Sequence, residues 1–205
     1  MEGEHIQIMA KRFFDIITSF LGLVLVFPLL LLIALMIKKE SPGPVFYIGK
    51  RVGRGGKVFS MYKFRSMVPD ADKLGGPSTS GDDPRLLKIG KLLRKYQLDE
   101  LPQLINVLLG EMSIVGPRPE VLSEVETYDE ETKKIIFSVK PGMSDLATLA
   151  NLHEEEVLRG ASDPHEAYRR LIKPQKLSLA KQYVRTRSFR LDLKIILKTL
   201  KSAIF

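Results

Sequence analysis

Apolar residues are concentrated near the start of the chain. Residues 16–37, IITSFLGLVLVFPLLLLIALMI, form 22 consecutive uncharged positions. As a straight helix they would extend roughly 33 Å, which is enough to reach across a bilayer. The following IKKESPGP lacks a small-residue cleavage site, so we do not expect a signal peptide. This pattern divides the chain into an N-terminal membrane segment, residues 1–44, and a second unit, residues 45–205.

The residues that flank and interrupt the apolar segment favour a re-entrant topology. Lys11 and Arg12 precede it and Lys38 and Lys39 follow it, so the positive-inside rule assigns both ends to the cytoplasmic side. Pro28 lies near the middle, where the missing N–H favours a sharp bend. The hypothesis is a helix–break–helix at Pro28 that enters one leaflet and returns. A kinked transmembrane anchor is the alternative, because prolines are tolerated in membrane spans.

The remaining chain shows strand and helix patterns in turn. PVFYIGKR and KVFSMYKFRSM flank Gly-Arg-Gly-Gly, which predicts a β-hairpin. Residues 85–96 and 101–109 carry apolar side chains at helical spacing, and Gly110 is a plausible stop. We therefore expect an α+β fold that is predominantly helical. A final amphipathic helix, either interfacial or packed on the domain, is predicted by the stripe Leu193, Ile196, Leu197, Leu200 and Ile204.

Charge is distributed unevenly around a formal net charge of +8. Residues 45–67 contain six basic and no acidic residues, and residues 173–205 contain nine basic residues and one acidic residue. Residues 120–156 reverse the balance, with ten acidic residues and three lysines. A basic face suits an anionic bilayer. Nucleic acid is a weaker candidate, since the basic segments flank apolar stretches and no nucleic-acid recognition motif is present.

The composition excludes several kinds of site. There is no Cys, which removes disulfides, thiol nucleophiles and zinc ribbons. The three histidines show no ligand spacing, so a histidine metal site is not expected.

Two adjacent carboxylates, Asp99 and Glu100, stand in the sequence LDELPQ just before a proline. The usual explanation is capping, in which they satisfy free N–H groups at the start of the helix over residues 101–109. Consecutive helical residues point about 100° apart, so the two would not form a matched acid–base pair. They could instead serve different targets, one attacking an atom and the other holding a metal ion.

Three basic residues are candidates for phosphate binding. Arg118 lies between Pro117 and Pro119, which restrict the backbone and present the guanidinium from a stiffened segment. That arrangement suits a phosphate clamp, although an exposed turn explains it as well. Lys63 and Arg94 are ordinary when considered singly.

Taken together, these stretches resemble one known family. MYKFRSM, KLLRKYQLDELPQLINVLLGEMSIVGPRPE, KPGMSDLA and RSFRLDLKIILKTL occur in the order found in the bacterial sugar transferases, specifically the small monotopic polyprenol-phosphate phosphoglycosyl transferases. The resemblance extends from about residue 11 to residue 200. The LDELPQ and GPRP blocks together carry most of its specificity.

The resemblance implies an activity, a cofactor and roles for the candidate residues. Sugar 1-phosphate would pass from a nucleotide diphosphosugar, with uridine the expected nucleotide, to undecaprenyl phosphate. Asp99 would be the nucleophile, with Glu100 beside it at a Mg²⁺ site that both carboxylates face. Lys63, Arg94 and Arg118 would bind phosphate.

The resemblance also implies a location and partners. The protein would be monotopic at the cytoplasmic face of the bacterial inner membrane, in contact with lipid, with residues 45–205 forming a cytoplasmic catalytic domain. Its partners would be the nucleotide sugar and polyprenyl phosphate rather than nucleic acid, and a homodimer is left open. A catalytically inactive membrane scaffold of the same fold is the alternative function.

The chain departs from the family pattern at two places. The family breaks its membrane helix at Ser-Pro, where this chain has Phe27-Pro28. Lys140 and Ser144-Asp145 replace the Arg that many relatives carry before the Pro-Gly and the Thr-Gly that follows it. Details of the substrate pocket around that loop therefore do not transfer.

Electrostatics explains why cations should surround the dyad. An ordinary aspartate is ionised at neutral pH and needs no base in order to attack phosphorus. Bringing it to within roughly 4 Å of a pyrophosphate oxygen costs about 4 kcal/mol per charge pair at an effective dielectric constant of 20. Neighbouring cations must offset that cost. The expected course is ping-pong, through an aspartyl-phosphosugar intermediate.

Overall fold

The computed structural model describes residues 2–74, 83–150, 158 and 163–204. Over this part of the chain, helices predominate and accompany two small two-stranded sheets, which confirms the predicted mixed and mainly helical class. The elements are α1 Glu2–Glu40, β1 Phe46–Val52, β2 Val58–Phe64, α2 Ala71–Leu74, α3 Lys88–Lys95, α4 Gln103–Leu109, β3 Ser113–Val115, α5 Leu122–Val125, α6 Glu130–Ile136, β4 Gly142–Ser144, α7 Leu146–Ala150, α8 Pro164–Ala167, a π-helical turn Tyr168–Ile172, α9 Lys173–Thr186 and α10 Phe189–Ile204.

The predicted hairpin is present. Strands β1 and β2 pair antiparallel, with Tyr47 opposite Lys63. In the connecting turn, Gly55 and Gly56 have φ values of 69° and 75°. This left-handed conformation is unfavourable for residues with a Cβ, so the glycines make the tight reversal feasible.

Helix α1 is continuous from Glu2 to Glu40. The predicted interruption at Pro28 is therefore wrong at the level of secondary structure. A proline inside a helix removes one hydrogen-bond donor, and apolar helices of the membrane type tolerate that loss. Within the described residues, the stretch Ile8–Glu40 is long and apolar enough to cross a membrane by length and composition.

One side of α1 packs on the rest of the protein along most of its length. Asp15 and Ser19 are buried near its start, and Ile33 and Ile37 are buried near its end. The opposite side is apolar and exposed; it includes Met9, Phe13, Phe20, Val24, Leu25, Leu31 and Leu35. The helix therefore inverts the usual arrangement, since its solvent-facing surface is the more uniformly apolar one.

Both ends of α1 bind helices of the same folded unit. Near its start, Arg12 donates hydrogen bonds to the carbonyl oxygens of Val107 and Leu108, at 2.6 and 2.9 Å, at the end of α4. At its other end, the Glu40 carboxylate accepts from the N–H groups of Lys88 and Ile89, at 2.6 and 2.9 Å, at the start of α3. These contacts supply hydrogen-bond partners to backbone groups at the end of α4 and at the start of α3, where partners within the helix are incomplete.

The remaining helices agree with the apolar patterns. The pattern over residues 101–109 becomes α4, and Gly110 ends it with φ 87°. The pattern over residues 85–96 becomes the shorter α3. In α10, three members of the predicted apolar stripe, Leu193, Leu197 and Leu200, are exposed. Ile196 is partly buried and packs against the core, so the stripe only partly packs on the domain.

A pair of short parallel strands brings two distant loops together. Strand β3 pairs with β4, with Ser113 opposite Gly142. The backbones pass so closely that a Cβ on Gly142 would lie 2.0 Å from the Gly116 nitrogen. Glycine at this crossing lets the loop after β3, which carries Arg118, pack against the loop that contains β4.

Candidate functional site

The two adjacent carboxylates lie in a tight turn between α3 and α4. Residues Leu98–Glu100 form a 3₁₀ turn, and Gln97 before them adopts a left-handed conformation with φ 54°. Helix α4 begins only at Gln103, and no side chain caps its start. Capping of α4 therefore does not account for the carboxylates.

Glu100 is held by two cations from distant parts of the chain. Its Oε1 atom accepts from Lys63 Nζ at 2.7 Å and from Arg118 Nη2 at 2.6 Å. Burial by itself would raise the pKa of Glu100, but the charges and hydrogen bonds of Arg118 and Lys63 outweigh it and hold the pKa well below its usual range. Glu100 is therefore ionised and fixed in position.

Asp99 has a different environment. Its side chain is buried, with only 8% of the residue exposed. Burial raises its pKa and the negative charge of Glu100 adds to the effect, while Lys63, Arg94 and Arg118 oppose it. Among the described residues it forms no ion pair, so the cations act on it through space. Two neighbouring carboxyls with pKa values shifted in opposite directions are typical of a pair with distinct chemical roles.

Asn106 fixes the hairpin relative to the dyad. This residue of α4 is fully buried; its Oδ1 accepts from the Tyr62 N–H at 3.0 Å and its Nδ2 donates to the Ser60 carbonyl at 2.7 Å. Because these two hydrogen bonds hold the backbone of β2 on either side of Met61, they fix the position from which Lys63 contacts Glu100. The register of the strand is thus tied to the helix that follows the turn.

Arg118 is fixed through its backbone as well as its side chain. Its N–H donates to Asp145 Oδ2 at 3.0 Å, and the flanking Pro117 and Pro119 are buried. Asp145 belongs to the loop that departs from the family pattern. In this chain it supports the arginine that reaches Glu100.

The structure brings the sequence-predicted residues into one region. Lys63 and Arg118 contact Glu100 directly, and Arg94, in the last turn of α3, contributes its charge at Asp99. Their roles in phosphate binding stay a prediction. Pro28 lies on α1, and its side chain is exposed.

Two further charged residues near the dyad were not predicted from the sequence. Arg51 lies in β1 close enough to Arg118 and Glu120 to interact with their charges, and burial lowers its pKa. Glu120 is half-buried, and burial raises its pKa. Two features of the sequence could have indicated them. Glu120 comes two residues after Arg118 in GPRPE. Arg51 is four residues after Tyr47 in β1, so the two lie on the same face of the strand, and Tyr47 pairs with Lys63.

The described residues contain no group of three or more His, Asp or Glu side chains that could hold a metal ion. Asp99 and Glu100 supply two carboxylates. Protein sites that bind Mg²⁺ together with a phosphate substrate commonly use only one or two carboxylates, and the substrate's oxygens complete the coordination. The residue types present therefore fit a partial magnesium site.

Comparison with known proteins identifies relatives along nearly the whole chain. Residues 6–205 match the family described as bacterial sugar transferase. A UDP-N-acetylgalactosamine-undecaprenyl-phosphate N-acetylgalactosaminephosphotransferase from Aeromonas hydrophila is 41% identical over 143 residues, which cover 69% of this chain and 34% of that protein. The exopolysaccharide production protein PSS from Rhizobium leguminosarum bv. phaseoli is 38% identical over 203 residues, 96% of each chain. A UDP-glucose:undecaprenyl-phosphate glucose-1-phosphate transferase from Klebsiella pneumoniae is 40% identical over 198 residues, 95% of this chain and 40% of that protein. The chain thus spans about a third of the length of the first relative and nearly all of the second.

Proposed function

The chain belongs to the bacterial sugar transferase family, and we propose that it transfers a sugar 1-phosphate from a uridine diphosphosugar to undecaprenyl phosphate. The relatives named above act on donors and an acceptor of this kind. The observation that carries the proposal is the geometry of the dyad. A buried aspartate without an ion pair among the described residues lies beside a glutamate fixed by Lys63 and Arg118.

The proposed reaction has two half-reactions. An Asp99 carboxylate oxygen attacks the β-phosphorus of the donor, and the bond from that phosphorus to the bridging oxygen breaks. Uridine monophosphate leaves with the electron pair of that bond. A phosphate oxygen of undecaprenyl phosphate then attacks the same phosphorus, releasing the Asp99 carboxylate and forming the diphosphate-linked sugar.

The neighbouring cations lower the electrostatic barrier to this attack. Lys63, Arg94 and Arg118 offset the repulsion between the Asp99 carboxylate and the pyrophosphate oxygens. Glu100 holds two of these cations in place before substrate arrives, so little reorganisation is required. Asp99 and Glu100 would hold Mg²⁺, which would neutralise charge on the phosphate oxygens when bound.

We also propose a monotopic attachment to the cytoplasmic face of the inner membrane, with residues 1–44 as the membrane segment and residues 45–205 as the catalytic domain. Both ends of α1 contact one folded unit, and its outer surface is apolar along its length. A helix that crossed the bilayer would carry those contacts to opposite sides. The exposed leucines of α10 would lie at the same interface.

Cysteine labelling tests the attachment. The natural chain has no Cys, so single Glu2→Cys and Lys39→Cys variants give unambiguous signals in intact cells. We expect an impermeant reagent added outside to label neither position, and both to react after the membrane is opened. Labelling of one position from outside would contradict the monotopic topology.

A donor screen tests the activity. Purified protein in detergent with undecaprenyl phosphate is given UDP-glucose, UDP-galactose and their N-acetylamino counterparts, and uridine monophosphate release is measured. We expect release with at least one donor, and without acceptor a covalent sugar phosphate on the protein detectable by mass spectrometry. Release from none of the donors would favour the inactive scaffold. Kinetics that require both substrates bound together would exclude the ping-pong course.

A further inference from the structure

Strand β1 extends the surface of the hairpin from which Lys63 contacts Glu100. Directly opposite residues of an antiparallel pair lie on the same face of the sheet. Tyr47 is opposite Lys63, and Gly49 and Arg51 follow it at intervals of two residues, so all three share that face. The face that meets the dyad through Lys63 therefore also carries an aromatic ring and a second cation.

The side chains of Tyr47 and Arg51 come together over Gly49. A Cβ on this glycine would lie 2.9 Å from Arg51 Nη1 and 3.1 Å from Tyr47 Cε1. The glycine is buried beneath them, whereas Tyr47 is 40% exposed. Because no side chain occupies the position between them, the ring and the guanidinium lie side by side, and part of the ring stays open to solvent.

The charge of Arg51 is not neutralised by a contact with a carboxylate. Its Nη1 donates to the carbonyl oxygen of Lys50 at 2.9 Å, and it forms no ion pair among the residues that the structure describes. Glu100 is close enough to interact with its charge, but Oε1 of that glutamate already accepts from Lys63 and Arg118. A guanidinium has five N–H donors, and most of those of Arg51 have no protein acceptor within the described residues. A half-buried guanidinium of this kind is suited to an anionic ligand.

The position of Arg51 indicates which anion it meets. Lys63, Arg94 and Arg118 are the cations that act most strongly on Asp99. Arg51 is not among them and interacts with the charge of Arg118 instead, so it lies farther from the attacking oxygen. In the proposed reaction that oxygen attacks the β-phosphorus, to which the sugar and the α-phosphate are attached. The sugar of the expected donors is neutral, so the anion one step beyond the β-phosphate is the α-phosphate of the nucleotide.

We propose that Tyr47 and Arg51 bind the nucleotide of the donor, with the guanidinium on the α-phosphate and the ring stacked on the uracil. This inference rests on the proposed function. Arginine binds phosphate through paired N–H donors, and an aromatic side chain offers a face on which a base stacks. A cation at the α-phosphate also stabilises the negative charge that develops there as the bond to the β-phosphorus breaks.

Binding of uridine monophosphate to the purified full chain, measured by calorimetry, tests the assignment without requiring turnover. The variants are Arg51→Met, Tyr47→Leu and Tyr47→Phe. The matched control is Lys50→Met, which removes a positive charge one position earlier in β1. Lys50 lies on the opposite face of the strand, where its Nζ donates to Ser60 Oγ at 2.8 Å.

We expect Arg51→Met to raise the Kd of uridine monophosphate at least about tenfold, the effect of losing one charge-assisted hydrogen bond. Tyr47→Leu should raise it about tenfold through the loss of stacking, whereas Tyr47→Phe, which keeps the ring, should stay within about twofold. Lys50→Met should also stay within about twofold, because it removes no ligand contact. Thermal unfolding shows whether each variant folds. Arg51→Gln, which removes the charge but keeps N–H donors, replaces Arg51→Met if that variant fails to fold.

Single-turnover kinetics below saturation separate the nucleotide from the acceptor. In-line displacement brings the acceptor phosphate to the position that the α-phosphate has left, so Arg51→Met should slow both half-reactions at least about tenfold. Tyr47→Leu should slow only the formation of the covalent sugar phosphate, because undecaprenyl phosphate carries no base.

Three results would overturn the assignment. The first is an unchanged affinity for uridine monophosphate in folded Arg51→Met or Tyr47→Leu. The second is an equal loss of affinity in Lys50→Met, which would reduce the effect to general electrostatics. The third is slowing of the second half-reaction alone, which would assign Arg51 to the acceptor. By contrast, if the unmodified protein released uridine monophosphate from no donor but bound it through Arg51, the proposed transfer would be refuted and the nucleotide site would stand.

Discussion

Two glutamates in this protein, one half-buried and one fully buried, are each held by several basic side chains, but their surroundings differ. Glu100 contacts Lys63 and Arg118 beside the candidate nucleophile. Glu124, in α5, contacts Lys173, Arg169 at 2.7 Å and His165 at 3.2 Å. The Glu124 side chain is 3% exposed, whereas the Glu100 side chain is 14% exposed.

The two clusters differ in whether a charged group is left without full neutralisation and could interact with a substrate. In the Glu124 cluster, Lys173 is fully engaged, since it also donates to Thr127 Oγ1 at 2.7 Å and lies 4.9 Å from the centroid of the Tyr128 ring. In the Glu100 cluster, a second carboxylate, Asp99, shares the field of the cations without an ion pair among the described residues. Basic residues around a glutamate are therefore not in themselves a sign of catalysis. The cluster that we propose to be reactive is the one with an additional, incompletely neutralised group.

The largest expected effect follows from removing that group. Asp99→Asn should lower transferase activity at least about 1,000-fold and abolish the covalent sugar phosphate, because an amide is not a nucleophile towards phosphorus. Activity is measured as uridine monophosphate release. Asp129→Asn is the control, since Asp129 caps α6 by accepting from the Thr132 N–H at 2.7 Å, and it should retain normal turnover. Near-normal activity of Asp99→Asn would refute the assignment.

The same substitution in the two clusters should separate chemistry from stability. Lys63→Met should lower kcat/KM about 100-fold through the loss of a positive charge near the transferred phosphate. Lys173→Met should leave kcat/KM of the folded protein within about twofold but lower the free energy of unfolding by about 3 kcal/mol, because buried Glu124 loses a partner. Kinetics and denaturant unfolding of both variants check this. If both variants changed kcat/KM and the free energy of unfolding to the same extent, the proposed distinction between the clusters would be contradicted.

The pH dependence should show the opposite shifts within the dyad. Because burial raises the pKa of Asp99, the attacking carboxylate forms only at a pH above the ordinary range for aspartate. We expect kcat/KM to rise about tenfold per pH unit along its acid limb, with a midpoint above about 4. The profile must be measured under conditions in which the protein stays folded. A midpoint at or below the ordinary aspartate value would contradict the raised pKa.

Asp99 should also reduce stability where it is ionised. A carboxyl whose pKa is raised by folding binds its proton more tightly in the native state, so its ionisation destabilises the fold as the pH rises through the native pKa. Asp99→Asn should therefore increase the free energy of unfolding at pH 7 by about 1 kcal/mol while abolishing activity. Denaturant unfolding at pH 7 measures this. A less stable variant would show that Asp99 supports the fold.

The smallest effect is expected for a solvated pair. Lys133 and Glu130 form an ion pair at 2.7 Å on α6, and the Glu130 side chain is 89% exposed. Lys133→Ala should change neither activity nor the unfolding midpoint measurably, because water screens the pair. A measurable loss of activity would extend the functional surface to α6.

Local features of the fold were predictable, because short-range patterns encode them. The hairpin follows from two strand-forming runs around a glycine-rich turn, and α4 follows from the spacing of its leucines and from Gly110. The continuity of α1 through Pro28 was not predicted. The sequence shows the loss of one hydrogen-bond donor, but the contacts along the packed side of the helix depend on distant residues.

The sequence by itself determined the family, through the LDELPQ and GPRP blocks, and the residue types available for the reaction. It also determined that α1 is apolar enough to associate with a membrane. Only the tertiary structure decided which cations meet which carboxylate, since Lys63 and Arg118 lie 37 and 18 positions from Glu100. It also placed Arg51 near the charges of Arg118 and Glu100. The physical reason is that periodicity and turn chemistry act between near neighbours, whereas the field at a side chain depends on every charge that the folded path brings close.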